Sequence, residues 1–198
     1  PVILGTDPAN DAGPAESDIM GFGIKDMGNA FGFGITVSSI VNAALCNNMK
    51  TLGGQFGQGK NSTKFYWYLD TDTVRTGSCN VSYNSSITGF EFFFKYEGSW
   101  NNGTSDVSEL FGAYRCSSGS WAKTDIKLSS FRNLVCGEIN GGMVAVEKID
   151  LEKFSELYTA GADIRVIVSS ANSSGNESYP SDVITDIGFA TPGSIDFN

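Results

Sequence analysis

The chain has 198 residues, 40% of them hydrophobic, and carries a net charge of −9. Charged residues make up only 18%, below the share of about a quarter that is usual in soluble proteins. The acidic balance argues against nucleic acid or an anionic membrane surface as a partner, because both bind basic patches. No stretch approaches the roughly 20 apolar residues of a membrane helix, so we expect no membrane span.

The length suits a single domain over residues 1–198, because all-β sandwiches of this size often fold as one unit. The chain holds 24 glycines and many Ser, Thr and Asn residues, a composition typical of extracellular β-proteins. It begins at Pro1 rather than Met, so we expect that a leader has been removed or is left out of the numbering. We therefore predict a secreted protein of the extracellular space or the cell surface.

The first 18 residues combine a short apolar segment with an acidic loop, and we treat them as a possible arm. Val2, Ile3 and Leu4 are too apolar to lie free in water and form a candidate assembly segment. Two short alternating strands are predicted next, over residues 19–25 and 30–38, with a hairpin turn between them. Glycines between the aromatic residues leave one face of these strands nearly bare, which favours close approach by another strand or chain.

The most strand-like segments are two aromatic runs, residues 65–69 and 90–96. Alternation along the second run predicts Phe90 and Phe92 on one face and Glu91 on the other. The first run ends in Asp70-Thr71-Asp72, which places two carboxylates where a strand leaves the core. Such a pair indicates either a cation site or an ordinary Asp-rich turn.

The remaining elements complete an all-β pattern. A hairpin is predicted from residues 110–116 and 120–128, residues 129–142 look irregular, and further strands are expected at 143–149 and 163–169. Between these last two strands we predict one short helix, with Asp150 as its N-cap and Gly161 at its end. The fold class is therefore an immunoglobulin-like or jelly-roll antiparallel β-sandwich with one short helix.

Four widely spaced cysteines lack a C-x-x-C motif, and no histidine is present to complete a zinc site. An even count favours two disulfides and an oxidising compartment, against the alternative of four free thiols. Three connectivities are possible. We favour the nested one, Cys79 with Cys116 around the aromatic hairpin and Cys46 with Cys136 outside it.

Six N-x-S/T sequons predict a glycoprotein, although a chain rich in Asn, Ser and Thr also produces sequons by chance. Five of them border predicted strands in Gly- and Ser-rich loops, where a glycan is tolerated. The candidate glycosylation sites are Asn61, Asn80, Asn84, Asn102, Asn172 and Asn176.

The sequence argues against an enzyme. Without histidine no Ser-His or Cys-His nucleophile can form. The carboxylates best placed for a glycosidase, Glu91 and Glu97, are six residues apart on one strand face, about 20 Å, which is too far. Trp67 is expected in the core, and Trp100, in a polar turn, is the best candidate for an exposed sugar-stacking platform.

The chain resembles the DOMON-like β-sandwiches, which include family-nine carbohydrate-binding modules and the glucodextranase C-terminal domain. The resemblance starts in TDPANDAGPAESDIMGFGI, continues in FYWYLDTD, in Thr76-Gly77 and in GFEF, and extends through VAVEKIDLEKF to DIRVIV. Asn10 stands where that family has glycine, and Glu91 where it has aspartate.

The resemblance implies the sandwich fold and a structural calcium ion, with sugar binding as a further possibility. Calcium takes hard oxygen ligands. Its candidate ligands here are Asp7, Asp11, Asp18, Asp70 and Asp72.

Two functions follow as hypotheses from different classes. The first is a non-enzymatic structural subunit whose partner is itself, a homopolymer that forms an extracellular filament or a surface layer through donation of its N-terminal strand. The second is an extracellular carbohydrate-binding module whose partner is a wall or matrix polysaccharide. We favour the first, because the composition is that of a surface protein and no site chemistry is evident.

Overall fold

The structure, a computed structural model, describes residues 3–6, 18–26, 30–37, 61–72, 78–100, 107–124, 128–139, 142–152 and 163–184. These residues form thirteen β-strands and no helix, which confirms the prediction of an all-β antiparallel sandwich. The strands are β1 (Ile3–Thr6), β2 (Ile19–Asp26), β3 (Ala30–Val37), β4 (Asn61–Asp70), β5 (Cys79–Val81), β6 (Asn84–Phe90), β7 (Phe92–Trp100), β8 (Val107–Ser117), β9 (Ser120–Lys123), β10 (Leu128–Ile139), β11 (Gly142–Glu152), β12 (Arg165–Ala171) and β13 (Asp182–Ile184). The described residues include no helix long and apolar enough to cross a membrane.

The strands form two large sheets and one small hairpin. The five-stranded sheet has the order β1-β2-β3-β11-β10, and the six-stranded sheet has the order β13-β12-β4-β7-β8-β9. All pairings among the described strands are antiparallel, and within this part of the chain β5 pairs with β6 alone. The backbone N–H of Ile19 in β2 donates to the Asp182 carboxylate in β13 at 2.6 Å, which joins the two large sheets.

The centre of the six-stranded sheet is buried on both faces, because residues 65–69 of β4 and 92–94 of β7 are continuous runs of buried apolar side chains. Its inner face, toward β2, carries Phe65, Trp67 and Leu69 of β4, each 1% exposed. Trp67 is therefore a core residue, as predicted. Phe94 pairs with Trp67 across the β4–β7 ladder and extends this inner core.

The outer face of the six-stranded sheet is the face that carries Tyr66, Tyr68, Phe93 and Ile167. These residues form a second core cluster, on which the β5–β6 hairpin packs. The stacked rings of Tyr68 and Phe93, with centroids 4.6 Å apart, lie at its centre. Burial of such aromatic rings contributes on the order of 2–3 kcal/mol per side chain, so the outer face is a structural core in its own right.

The disulfide between Cys79 in β5 and Cys116 in β8 ties the small hairpin to the six-stranded sheet and confirms the inner pair of the nested prediction. Its 37-residue separation stabilises the fold by roughly 4 kcal/mol in the chain-entropy account. Cys46 lies outside the described residues, so its pairing with Cys136 stays a prediction.

Several strand predictions are confirmed. β2, β3 and the β8–β9 hairpin lie close to the predicted positions. The turn between β8 and β9 places Ser118 and Gly119 at φ of 51° and 76°. Positive φ at both central residues is the geometry that suits a two-residue hairpin loop, and glycine adopts it at little cost.

Two predicted elements are wrong. Residues 128–139, expected for the most part to be irregular, form the long strand β10, which pairs with β11. β11 continues through Asp150 and Leu151 to Glu152, so Asp150 is a strand residue and not a helix N-cap. In both cases strand pairing outweighs the local preference, which is the known weakness of propensity arguments in sheets. β10 pairs with β11, the next strand along the chain, whereas the end of β11 pairs with the distant strand β3. The rest of the predicted helix lies outside the described residues.

The predicted face of Phe90 is also wrong. The run 90–96 is not one strand: β6 ends at Phe90 and β7 begins at Phe92, with Glu91 in a bend between them. Because this extra residue shifts the alternation, Phe90 joins Phe93 in the outer-face cluster instead of lying with Phe92. Gly89, at φ 103°, provides the unusual backbone conformation just before the bend.

Candidate functional site

Three of the described carboxylates come together at one place, the end of β4. Asp70, Asp72 and Glu91 each offer an oxygen, and these atoms lie within 4.8 Å of one another. Asp70 is the last residue of β4, Asp72 follows the strand, and Glu91 occupies the bend between β6 and β7. The three residues therefore form an acidic cluster whose members differ in exposure: Asp70 is buried, Glu91 is half-buried and Asp72 is exposed.

Backbone pairing fixes the position of Glu91. Its N–H donates to the Leu69 carbonyl at 3.0 Å, and its own carbonyl accepts from the Cys116 N–H at 2.8 Å. The carboxylate accepts the Thr71 N–H at 2.7 Å, within the turn between the two aspartates. Asp70-Thr71-Asp72 is therefore both a strand-ending turn and one side of the acidic cluster.

Asp70 has a positively charged neighbour on the adjacent strand. Arg165, the first residue of β12, pairs in register with Asp70 and donates to its carboxylate from Nη2 at 2.8 Å and from Nε at 3.1 Å. Nη2 also donates to the Thr88 carbonyl of β6 at 2.6 Å. The guanidinium lies 4.5 Å from the centre of the Phe90 ring, a cation–π contact.

Glu91 has a strongly shifted acidity. The pKa of its carboxyl is raised to about 7, chiefly by burial and also by the charges of Asp72 and Asp70, while the Thr71 N–H and the Ser78 hydroxyl oppose the rise. The Glu91 carboxyl therefore gains or loses its proton near neutral pH. The charge of Asp70, by contrast, is balanced by the Arg165 guanidinium.

The cluster suits a cation or a proton better than it suits catalysis. Calcium takes six to eight oxygen ligands from carboxylates, carbonyl groups and water. The cluster supplies only part of such a set, and the Arg165 guanidinium already engages Asp70. Asp72 and Glu91 are thus the residues that would hold an ion, with Asp70 behind them. Closely spaced carboxyl groups also occur in glycosidases, but here Asp70 is 0% exposed and cannot meet a substrate.

Of the other predicted calcium ligands, the structure describes only Asp18. It is buried directly before β2 and is not part of the acidic cluster, and Asp7 and Asp11 lie outside the described residues. Sequence reasoning missed Glu91 as a member of the cluster and Arg165 as the partner of Asp70. The available signals were the glycine two residues before Glu91 and the single basic residue within the run DIRVIV.

At the opposite end of the outer face, a hydrogen bond and an ion pair hold the loop of residues 172–179 against the sheet. The buried Lys64 donates to the Gly175 carbonyl at 2.7 Å, and Lys95 forms an ion pair with Glu177 at 3.0 Å. Burial lowers the pKa of Lys64, with Glu97 in the paired position opposing the shift. These contacts fasten residues 172–179 onto the sheet.

Four predicted glycosylation sites lie on the elements that cover the outer face. Asn80 and Asn84 belong to the β5–β6 hairpin, and Asn172 and Asn176 belong to the loop after β12. Asn61 begins β4, and Asn102 lies outside the described residues. The assembly segment is described in part: Ile3 and Leu4 lie in β1, and Val2 lies outside.

Comparisons with protein-family models, with curated proteins and with solved structures found no match. The resemblance to DOMON-like sandwiches therefore stays a prediction beyond the fold class.

Proposed function

We propose that this protein is a secreted, non-enzymatic structural subunit that self-assembles into an extracellular filament or surface layer by exchange of β1. One observation carries the proposal: β1 is a four-residue strand at the edge of the five-stranded sheet, and a segment of residues 7–17 connects it to the strand it pairs with.

The pairing of β1 is short. Three residue pairs connect it to β2, Ile3 with Gly23, Gly5 with Phe22 and Thr6 with Gly21, and the register shifts between the first two. So few pairs stabilise the chain's own sheet only weakly, because a strand of four residues gains little against the entropy of ordering it. β1 is therefore an edge strand that separates from the sandwich at low cost.

Exchange would preserve every one of these contacts. A copy of β1 from a neighbouring subunit would form the same three pairs with β2. A sandwich that holds a neighbour's β1 would therefore differ from one that holds its own mainly in which chain supplies the strand. Donation in one direction from subunit to subunit makes a head-to-tail chain, and it also covers a sheet edge that would otherwise invite uncontrolled association.

The rest of the molecule supports an extracellular structural role. The Cys79–Cys116 disulfide fits an oxidising compartment, and the two packed faces of the six-stranded sheet give a rigid body. The acidic net charge of −9 and the low content of charged residues agree with a surface protein.

Deletion of residues 1–6 tests the proposal. The truncated chain should fold as a monomer with the Cys79–Cys116 disulfide intact, and electron microscopy should find no filaments. Added in small amounts to the full chain, it should also shorten filaments, because it accepts a strand and offers none. Filaments of unchanged length would contradict exchange of β1.

A matched control addresses the other sheet. Ala122→Asp changes an exposed residue in β9, the edge strand of the six-stranded sheet, and should leave assembly intact. If the truncated chain is unfolded even when a peptide of residues 1–6 is supplied, β1 belongs permanently to its own sandwich.

The alternative hypothesis, a carbohydrate-binding module, has less support. Trp67 is buried, and Trp121 packs against the outer-face cluster and donates from Nε1 to the Asn80 carbonyl at 3.2 Å. Trp100, the predicted platform, lies in β7 and not in a turn. Binding to insoluble polysaccharide by the truncated monomer would favour this alternative.

A further inference from the structure

The described sequons fall into two groups that differ in what the asparagine side chain does. In the first group, Asn84, Asn172 and Asn176, the side-chain Oδ1 accepts the backbone N–H of the sequon's own serine. The distances are 3.0 Å to Ser86, 2.8 Å to Ser174 and 2.8 Å to Ser178.

This geometry leaves the amide nitrogen of the first group available. Within the described part of the chain, Nδ2 of Asn84, Asn172 and Asn176 donates no hydrogen bond. Asn84 and Asn176 are exposed, and Asn172 is partly exposed beside the exposed Ser173. A substituent on Nδ2 therefore breaks no contact and meets solvent.

The second group, Asn61 and Asn80, has no such freedom. Nδ2 of Asn80 donates to the Val81 carbonyl at 2.8 Å, and the next residue, Val81, is buried in the outer-face cluster. Asn61 pairs with Trp100 inside the six-stranded sheet, and the sequon residues Ser62 and Thr63 are buried. A glycan at Asn80 would therefore crowd the hydrogen bond of Nδ2 to Val81, and one at Asn61 would start within a paired strand beside two buried residues.

We propose that the outer face carries N-linked glycans at Asn84, Asn172 and Asn176, and that Asn61 and Asn80 stay unmodified. In the reaction, Nδ2 forms a bond to the anomeric carbon of a sugar carried on a lipid phosphate or pyrophosphate. The bond from that carbon to the phosphate oxygen breaks, the phosphate leaves with the electron pair, and Nδ2 loses one proton. The donor is thus an activated glycosyl phosphate, and no electrons are exchanged with a redox partner.

A second observation points to a sugar at Asn176. Tyr179 is 77% exposed, the only large hydrophobic side chain so exposed among the described residues. It forms a β-bridge with Asn176 and donates its N–H to the same Oδ1 at 3.1 Å. An exposed ring beside the attachment point offers an apolar surface to the C–H face of the first sugar, while its hydroxyl stays in water.

The three sites share one side of the molecule. Asn84 lies on the hairpin that covers the outer face, and the loop with Asn172 and Asn176 is fastened to the same face by Lys64 and Lys95. Glycans there extend away from the five-stranded sheet and from β1, so they are compatible with strand exchange. The proposal does not require exchange, because it needs only passage through a compartment with the glycosyl donor.

Glycopeptide mass spectrometry of the protein secreted by its own organism tests the proposal. We expect glycan occupancy at Asn84, Asn172 and Asn176 to be at least tenfold higher than at Asn61 and Asn80. Asn176→Gln should lower the intact mass by one glycan, and the matched control Asn80→Gln should leave the glycan mass unchanged. Tyr179→Ala should lower the melting temperature of the glycosylated protein and have little effect on protein freed of glycan.

Two results would overturn the proposal: unmodified asparagine at all three sites, or comparable occupancy at Asn61 or Asn80. Both are read from peptide masses alone. Filament formation is scored separately by microscopy, so failure of the glycan assignment and failure of the strand-exchange proposal are distinguishable.

Discussion

Arg165 and Asp70 form a buried ion pair between neighbouring strands, with Nη2 and Oδ2 2.8 Å apart and the Asp70 side chain fully buried. The same guanidinium donates to the Thr88 carbonyl and lies over the Phe90 ring, so one side chain connects β12, β4 and β6. The pair thereby holds the β5–β6 hairpin, with its Asn84 sequon, against the outer face.

Replacement of Arg165 should be among the most damaging single changes in the chain. Arg165→Met leaves the Asp70 carboxylate buried without its counter-charge, which typically costs about 3–5 kcal/mol. Urea unfolding measures this loss of free energy. Lys95→Met is the matched control: it breaks an ion pair whose side chains are 14% and 32% exposed, and should cost less than about 1 kcal/mol.

A double substitution separates charge from packing. Adding Asp70→Asn to Arg165→Met removes the uncompensated charge and should recover part of the lost stability, which appears as a coupling energy in a double-mutant cycle. If Arg165→Met costs no more than Lys95→Met, the pair has no special role in the fold.

The fold class was predictable from the sequence because strand periodicity is a local signal. Alternating apolar residues and the turn at Ser118 and Gly119 are visible in a few consecutive residues. β10 was missed because its Ser, Arg, Asn and Gly residues have weak strand preference. A local signal was nevertheless present, since Asn140-Gly141, a dipeptide that favours hairpin turns, stands between β10 and the next strand, β11. The start of the predicted helix failed for a different reason: Leu151 pairs with Phe31 of β3, a strand far away in the chain.

Two of the three residues of the acidic cluster could be predicted from the sequence. Asp70 and Asp72 stand out at the end of an aromatic strand, but Glu91 joins them only because of the bend between β6 and β7. That bend also moves Phe90 to the outer face. Arg165 reaches Asp70 through the register of β12 on β4, over a separation of 95 residues, and no local pattern encodes such a register.

Stability should depend on pH through Glu91. Its pKa is raised from about 4.5 to about 7, so the folded state binds this proton more tightly than the unfolded state does. The stabilisation that this proton gives the folded state is fully present below the pKa of the Glu91 carboxyl in the unfolded chain. It is lost as the pH rises toward 7. We expect the free energy of unfolding to fall between about pH 4.5 and pH 7, by roughly 1–2 kcal/mol, because the carboxyl is partly solvated.

Glu91→Gln identifies the group responsible. Glutamine keeps a side-chain oxygen for the Thr71 N–H and does not titrate, so the variant should lack this fall and should exceed the original protein in stability at pH 8. Denaturant unfolding at pH 5, 6, 7 and 8 gives the comparison. A pH profile that is the same in both proteins would assign the dependence to other carboxyl groups.

Calcium should bind at Asp72 and Glu91 if the acidic cluster is the cation site that the strand-ending aspartates predict. An ion bound only by the folded state raises its stability by mass action, by about 2.7 kcal/mol at 100 times the dissociation constant. Melting temperatures with calcium and with a chelator measure this. Because the proton on Glu91 competes with the ion, the calcium effect should be larger at pH 8 than at pH 5.

Asp72→Asn should abolish the calcium effect, whereas Glu177→Gln, a change at the other end of the outer face, should not. Asp70→Asn is unsuitable as a test, because it also disrupts the Arg165 pair. Melting curves that do not respond to calcium or chelator at either pH would make Asp70-Thr71-Asp72 a turn and nothing more.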